Sequence, residues 1–390
     1  MSAGQGALSV FLKELIDALR DRRTLLVVLA TSVLMGPLLL LALSALVGSL
    51  ETKAEQRTVM VAGMEQAPTL RNYLERQTWT VKSAPADYER QLRDSKLGDP
   101  VVVVPMDFEE KLANGDQPEL ELVSDSANKQ SQSALRRVGE LLRGFGQERA
   151  SLAIALRGVS ADLLVPIKVS ERDLASTQTR AAQLTGLLAF VVLMAVVSGA
   201  LNAALDSTAG ERERGSLEPL LMNPVPHLAL VLGKWAAVSV VSMMIAVLSC
   251  LSFLPGQWLL RSDTLAALFQ FGWREVALFQ VVLLPFAAAA SAVLMAVAIR
   301  CKTFKEAQAN STVVLLVVSL LPLVSTFNQT GDEPWHLWVP ALAQNVLMLR
   351  VLKGESFTPE QVVVPLLVCV LLTVVALVFV ARRLRGAAVK

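Results

Sequence analysis

The chain has 390 residues, of which 53% are hydrophobic, and a mean hydropathy of +0.51, too apolar for an ordinary soluble domain of this length. A formal net charge of +2 argues against a nucleic-acid partner. Three cysteines, none in the charge-rich stretch from residue 51 to 180, exclude a disulfide framework there, and with only two histidines a His/Cys metal site is not expected.

From the N-terminus, Leu8, Phe11, Leu12, Leu15, Ile16 and Leu19 recur at helical spacing, with Lys13, Glu14, Asp17 and Arg20 opposite. Residues 1–24 therefore read as an amphipathic helix lying in the cytoplasmic interface of a bilayer. A cytoplasmic helix packed on the protein's own loops would give the same pattern. The next run, 25–48, is longer than the apolar core of a signal peptide and follows a long structured segment, so an uncleaved span fits better than a cleaved leader.

A bilayer core about 30 Å thick needs roughly 20 apolar residues of helix. Six runs meet that demand: 25–48, 181–205, 228–254, 276–299, 307–327 and 362–381. One set of flanks carries Lys13, Arg20, Arg22, Arg23, Arg212, Arg214, Arg300, Lys302, Lys305, Arg382, Arg383, Arg385 and Lys390; the opposite short loops carry only Arg261, Arg274, Arg350 and Lys353. Lys and Arg favour the cytoplasmic side, so both termini are expected inside and residues 49–180 outside. Trp258, Trp273, Trp335 and Trp338 fall in the outer loops, where an aromatic belt belongs.

Within 49–180, short strands are predicted at 58–62, 78–82, 101–104 and 119–123, with helices at 66–76, 86–96 and 107–114 between them. The alternation favours a small α/β domain. Residues 128–157 read as one long helix, interrupted or bent near Gly144 and Gly146, returning to the membrane through a strand at 163–170. The acidic pairs Glu109-Glu110 and Glu119/Glu121 read as solvated faces, and no phosphate loop or nucleophile elbow is present. The expected fold class is a polytopic α-helical membrane protein of about six spans with an inserted extracytoplasmic α/β domain.

The segment between the second and third spans, 206–227, is the most informative. It contains Glu211-Arg212-Glu213-Arg214-Gly215-Ser216-Leu217-Glu218-Pro219-Leu220-Leu221-Met222-Asn223-Pro224. Gly215 breaks the preceding helix, Ser216 is suited to an N-cap, Pro219 is tolerated in a first turn, and Pro224 ends the helix. Leu217, Leu220 and Leu221 share one face. The expectation is a short, stiff helix projecting into the cytoplasm, preceded by charges able to meet a partner. Spacing alone equally allows a charged loop packed on its own bundle.

These residues resemble the E-x-E-R-G-[TS]-L-E-x-L-L-x-x-P signature of ABC exporter permeases of the second type, with Ser216 in place of the commoner Thr. In that family the loop helps connect the second span to a cytoplasmic ATPase. The resemblance extends to the interfacial helix, the large outer domain and the five later spans, and it implies short re-entrant helices on the outer side at 335–352. Arg300-Cys301-Lys302-Thr303-Phe304-Lys305-Glu306 is similar to the second cytoplasmic loop of the sodium-exporting Nat-type subgroup, so Lys302, Phe304, Lys305 and Glu306 join the expected coupling surface.

There is no G-x-x-x-x-G-K-[ST]; Gly233-Lys234 lacks the earlier glycine and precedes Trp235. Without a phosphate-cradling loop the chain cannot hydrolyse ATP by that chemistry, so no cofactor is expected in it. ATP and magnesium would act in a separate subunit, and six spans imply a dimer with itself or a related permease, in a bacterial inner membrane. Lys234, within about two turns of the inner end of the third span, is expected to snorkel to the interface. Asn202, Thr185, Ser239, Ser242, Ser249, Ser252, Ser291 and Ser319 are expected mainly to hydrogen-bond between helices. Sodium is the first substrate expected, with a drug, peptide or lipid second. A membrane-anchored sensor or scaffold would explain the outer domain but not the loop. An intramembrane enzyme would need paired aspartates, a serine–histidine pair or a metal cluster that the spans lack.

Overall fold

The computed structural model describes residues 3–20, 22–55, 57–94, 96–125, 129–160, 177–216, 226–260, 271–327 and 333–388, with the single positions 219, 266 and 269. The chain divides into two compact units, Met1–Gly48 with Leu174–Lys390, and Ser49–Asp173. In chain order, α1 (Ala3–Arg20) and α2 (Arg22–Glu55) lead into the inserted unit. That unit comprises β1 (Thr58–Ala62), α3 (Pro68–Arg76), β2 (Thr80–Ser83), α4 (Tyr88–Arg93), β3 (Val101–Val103), α5 (Phe108–Asn114), β4 (Glu121–Val123) and α6 (Lys129–Leu156). There follow α7 (Thr177–Leu205), a π-helical turn (Asp206–Gly210), α8 (Glu211–Glu213), α9 (His227–Gly256), α10 (Trp273–Ala298), α11 (Phe304–Phe327), α12 (Leu342–Lys353) and α13 (Pro359–Ala388).

The inserted unit is an α/β layer. Its sheet runs β2-β1-β3-β4, with β1 parallel to both β2 and β3, and β4 antiparallel to β3. Val59, Val61, Val102, Leu70, Leu74 and Phe108 form its core, against which Phe145 of α6 packs. The strands and helices follow the predicted alternation, but α6 runs unbroken through Gly144 and Gly146. At Gly144 a Cβ would stand 2.6 Å from the Tyr73 hydroxyl, so the missing side chain admits Tyr73 without interrupting the helix. The predicted strand at 163–170 lies outside the described residues.

Among the described residues six helices are long and apolar enough to cross a membrane: Ser32–Ser49, Thr185–Glu213, His227–Leu259, Trp273–Ala298, Phe304–Leu323 and Pro359–Arg385. Each matches one of the predicted runs. α7 is the central helix, with α9, α10, α11 and α12 packed around it. Val192, Val196 and Ala200 on α7, Phe253 on α9 and Leu283 on α10 are wholly buried there. Glycines set the closest approaches: a Cβ on Gly199 would lie 2.5 Å from Ile245 Cδ1, and one on Gly256 would lie 2.7 Å from Leu40 Cδ1. α12 spans only 12 residues, about 18 Å of helix, too short to cross. Positions 342–348, 351 and 352 of it are buried, and Gly186 at the opening of α7 touches Leu349. α12 therefore sits at the end of the bundle opposite Glu211.

Of the intramembrane hydroxyls expected to bond between helices, three bond within their own helix, one bridges, and those of Ser239, Ser249 and Ser291 are buried without a hydrogen-bond partner. Thr185 donates to Ala181 O, Ser252 to Ser249 O and Ser319 to Leu316 O; Ser242 alone of the set bridges, donating to Val196 O at 2.7 Å. A hydroxyl in a helix reaches the carbonyl three or four residues back without help from a neighbour. Asn202 is exposed.

Candidate coupling site

The site is built where α7 ends. Helix α7 widens through the buried π turn Asp206–Gly210 and closes with α8. Gly215, at φ +67°, stops it: Gly215 N–H donates to Arg212 O and Ser216 N–H to Glu211 O, the paired bonds of a Schellman cap. Gly215 thus acts as predicted. The Ser216 hydroxyl donates back to Glu211 O at 3.2 Å, while the helix it was expected to cap lies outside the described residues.

The four charges before Gly215 do not wait for a partner; each is engaged inside this unit. Glu211, only 8% exposed, accepts from Lys234 Nζ at 2.6 Å and from Lys13 Nζ at 3.1 Å. Arg212 donates to Cys301 O at 2.9 Å, and the Glu213 carboxylate accepts from Phe304 N–H at 2.6 Å. Arg214 pairs with Asp206 at 2.9 Å. The loop at 300–306 is thereby tied to the signature segment. Leu205, Ala209, Ala298, Cys301 and Ala307 form a small apolar core at the same place, with Phe304 packed on it. Thr303 Oγ1 accepts from Glu306 N–H, and the Glu306 carboxylate accepts from Lys302 N–H, a reciprocal cap that starts α11. Lys302, Lys305 and Glu306 remain exposed, as does Pro219. Leu217, Glu218, Leu220, Leu221 and Pro224 lie outside the described residues.

Three further residues lie behind the site and hold Glu211 in place. Lys234, expected at the interface, is 2% exposed; its Nζ donates to Glu14 Oε1 at 2.8 Å, Glu211 Oε2 at 2.6 Å and Ser207 O at 3.0 Å. Three acceptors are all an ammonium can use, so the lysine is satisfied in place and has no reason to snorkel. Lys13 Nζ closes the circuit on Glu14 at 3.0 Å and Glu211 at 3.1 Å. Burial opposes both charges of the Lys13–Glu14 pair. Even so, Lys234 and Lys13 together hold the Glu14 carboxyl below its ordinary value, and Glu14 with Glu211 drives the Lys13 ammonium above its own.

Glu14 also corrects the reading of α1. It does not lie on the outer charged face but on the buried one with Gly6 and Val10, packed along α9. The tightest approach is at Gly233, where a Cβ would stand 2.7 Å from Ala7 O. Leu8, Leu12, Ile16 and Leu19 form a separate exposed apolar stripe, with Ser9, Lys13 and Asp17 beside it. Beside the charged cluster is a pocket of about 420 Å³ with Ala203, Ala237, Val238 and Val241 among its walls and Asp17, Arg20, Asp206 and Arg214 contributing charge.

The model of the ABC-2 family transporter protein matches residues 27–382, a stretch that runs through the six spans and the signature segment. The chain belongs to that family. This ABC-2 protein is similar to the ABC transporter permease protein NatB of Bacillus subtilis (strain 168), with 27% identity over 353 residues, 88% of this chain and 89% of the relative. It is thus a multi-pass membrane protein and a transporter subunit rather than an enzyme in itself. Among the described residues, no cluster of three or more His, Cys, Asp or Glu is arranged to hold a metal.

Proposed function

We propose that this ABC-2 protein is the membrane subunit of an ATP-driven exporter, moved by a separate ATPase that binds and hydrolyses ATP with magnesium. The ATPase would dock on residues 211–224, with the loop at 300–306 as the second point of contact. One observation carries this reading: Glu211, Arg212 and Glu213 are each bonded to a different part of the bundle, so a push on the segment after Gly215 has a rigid route into α1, α9 and α11. A loop serving only to join two spans would not need three such anchors.

In this reading both termini and the loops at 206–227 and 300–306 face the cytoplasm of a bacterium, residues 49–180 form the domain outside its inner membrane, and α12 lies near the outer surface. The exposed tryptophans Trp258, Trp273, Trp335 and Trp338 support that arrangement. Two copies, or one copy with a related permease, would enclose the pathway. Sodium is the substrate proposed first, with drugs, peptides or lipids next.

The test is ion accumulation in inverted membrane vesicles containing this chain with its ATPase subunit. Sodium should accumulate only with ATP and only when both chains are present. ATP-dependent movement of a dye or lipid without sodium would transfer the assignment to that substrate. Transport by this chain alone would overturn the exporter reading.

A further inference from the structure

Glu14, Lys13, Lys234 and Glu211 form a closed ring of alternating charge, with edges of 3.0 Å (Lys13–Glu14), 2.8 Å (Glu14–Lys234), 2.6 Å (Lys234–Glu211) and 3.1 Å (Glu211–Lys13). Its members come from three segments far apart in sequence: α1, the start of α8 and the third span. We propose that Glu14 and Lys234 are positioning residues. They clasp α1 to the head of the signature segment, so that the two move as one body when an ATPase subunit displaces the loop. The inference rests on the exporter reading and adds to it a second moving part, α1.

Three observations carry it. First, the link is electrostatic rather than apolar. Where α1 faces the end of α7 a pocket of about 420 Å³ intervenes, with Ala18 and Arg20 on the α1 side and Ala203 on the other. Ion pairs span that boundary. Second, the ring is specific in geometry. The π turn presents Ser207 O to Lys234 Nζ at 3.0 Å, so the lysine holds both α1 and the end of α7 with a single head group. Third, α1 has a fixed seat, because its backbone at Ala7 lies directly over Gly233. Apolar residues of similar volume usually stabilise a buried site at least as well as charges do. Charges here supply directional attachment between parts that would otherwise slide.

The test uses the full chain with its ATPase subunit in liposomes. A cysteine replacing Ile16, on the exposed stripe of α1, carries an environment-sensitive fluorophore, and its response to ATP is recorded. E14Q/K234M removes one charge of each sign and leaves the Lys13–Glu211 pair intact. It is expected to retain the ATPase subunit within about twofold of wild type while the fluorophore response falls at least fivefold. Lys234→Arg, which keeps a cation, should keep more than half of the response. Gly233→Ala, which displaces α1 through Ala7 and Val10 without touching a charge, should lower it too. A wild-type response in folded E14Q/K234M, or in folded Gly233→Ala, would overturn the clasp while leaving the exporter reading standing. Failure of the ATPase subunit to associate with the wild-type chain would overturn both.

Discussion

A lysine sealed inside a helical bundle is tolerable only when its ammonium is both paired and hydrogen-bonded, and Lys234 meets both conditions through Glu14, Glu211 and Ser207 O. Removing it alone leaves two buried carboxylates facing one cation. Lys234→Met should therefore lower stability by about 3–5 kcal/mol, whereas E14Q/K234M, which strands no charge, should lose far less. Thermal unfolding of the purified chain in detergent separates the two. The same ring sets an acid limit. Burial works against the Glu14 charge, but Lys234 and Lys13 hold its carboxyl below the ordinary 4.5. Its contribution is thus full above that value and disappears as falling pH passes through the depressed one. In Glu14→Gln this limb of the stability profile should vanish, visible as a melting temperature that falls less steeply than the wild type's as the pH drops below about 4.5. Gly215 poses a backbone problem: at φ +67° a Cβ would meet nothing within 4 Å, so any cost is conformational. Gly215→Ala should cost about 1–2 kcal/mol, while Gly215→Asn, at home in left-handed backbone, should cost less.

At the scale of helices and strands, length and apolar composition specify the spans, which is why the six runs were legible from sequence. The stop at Gly215 was legible too, because only a left-handed residue closes a helix with that pair of bonds. The ring was not. Glu14 sits among Lys13, Asp17 and Arg20, and the leucines of α1 drew the predicted buried face toward themselves. In fact α1 has two faces: the flank with Gly6, Val10 and Glu14 meets α9, and the stripe of Leu8, Leu12, Ile16 and Leu19 stays exposed. Lys234 resembled a snorkelling residue because Glu14 lies 220 positions away and Glu211 lies 23. The Thr303–Glu306 cap has a readable signal, T-x-x-E before an apolar run, set among the charges of the same loop. Helix crossing is equally local. The 2.5 Å between a notional Cβ on Gly199 and Ile245 Cδ1 leaves no room for a side chain, so Gly199→Leu should abolish recovery of folded protein. Leu187→Ala, on an exposed face of the same helix, should not. Yield and monodispersity on size-exclusion chromatography report both.

For the molecule as a whole, the division into two units predicts separable damage. Phe108 is 1% exposed in the core of the inserted unit. Phe108→Ala should destabilise that unit by about 3–5 kcal/mol and leave association with the ATPase subunit unchanged. In the exporter reading, the face that bears the signature would receive force at one segment and spread it through α1, α9 and α11. Substrate choice, by contrast, is not marked by any cluster of three or more His, Cys, Asp or Glu among the described residues. Co-purification of the ATPase subunit with wild-type and Glu218→Lys chains is the most direct measurement, because Glu218 follows the anchored head of the signature in sequence and is not a member of the ring. Stoichiometric recovery with the wild type and at least a tenfold loss with Glu218→Lys, at unchanged melting temperature, is the expected result. Undiminished recovery with Glu218→Lys, or none with the wild type, would contradict docking through this segment.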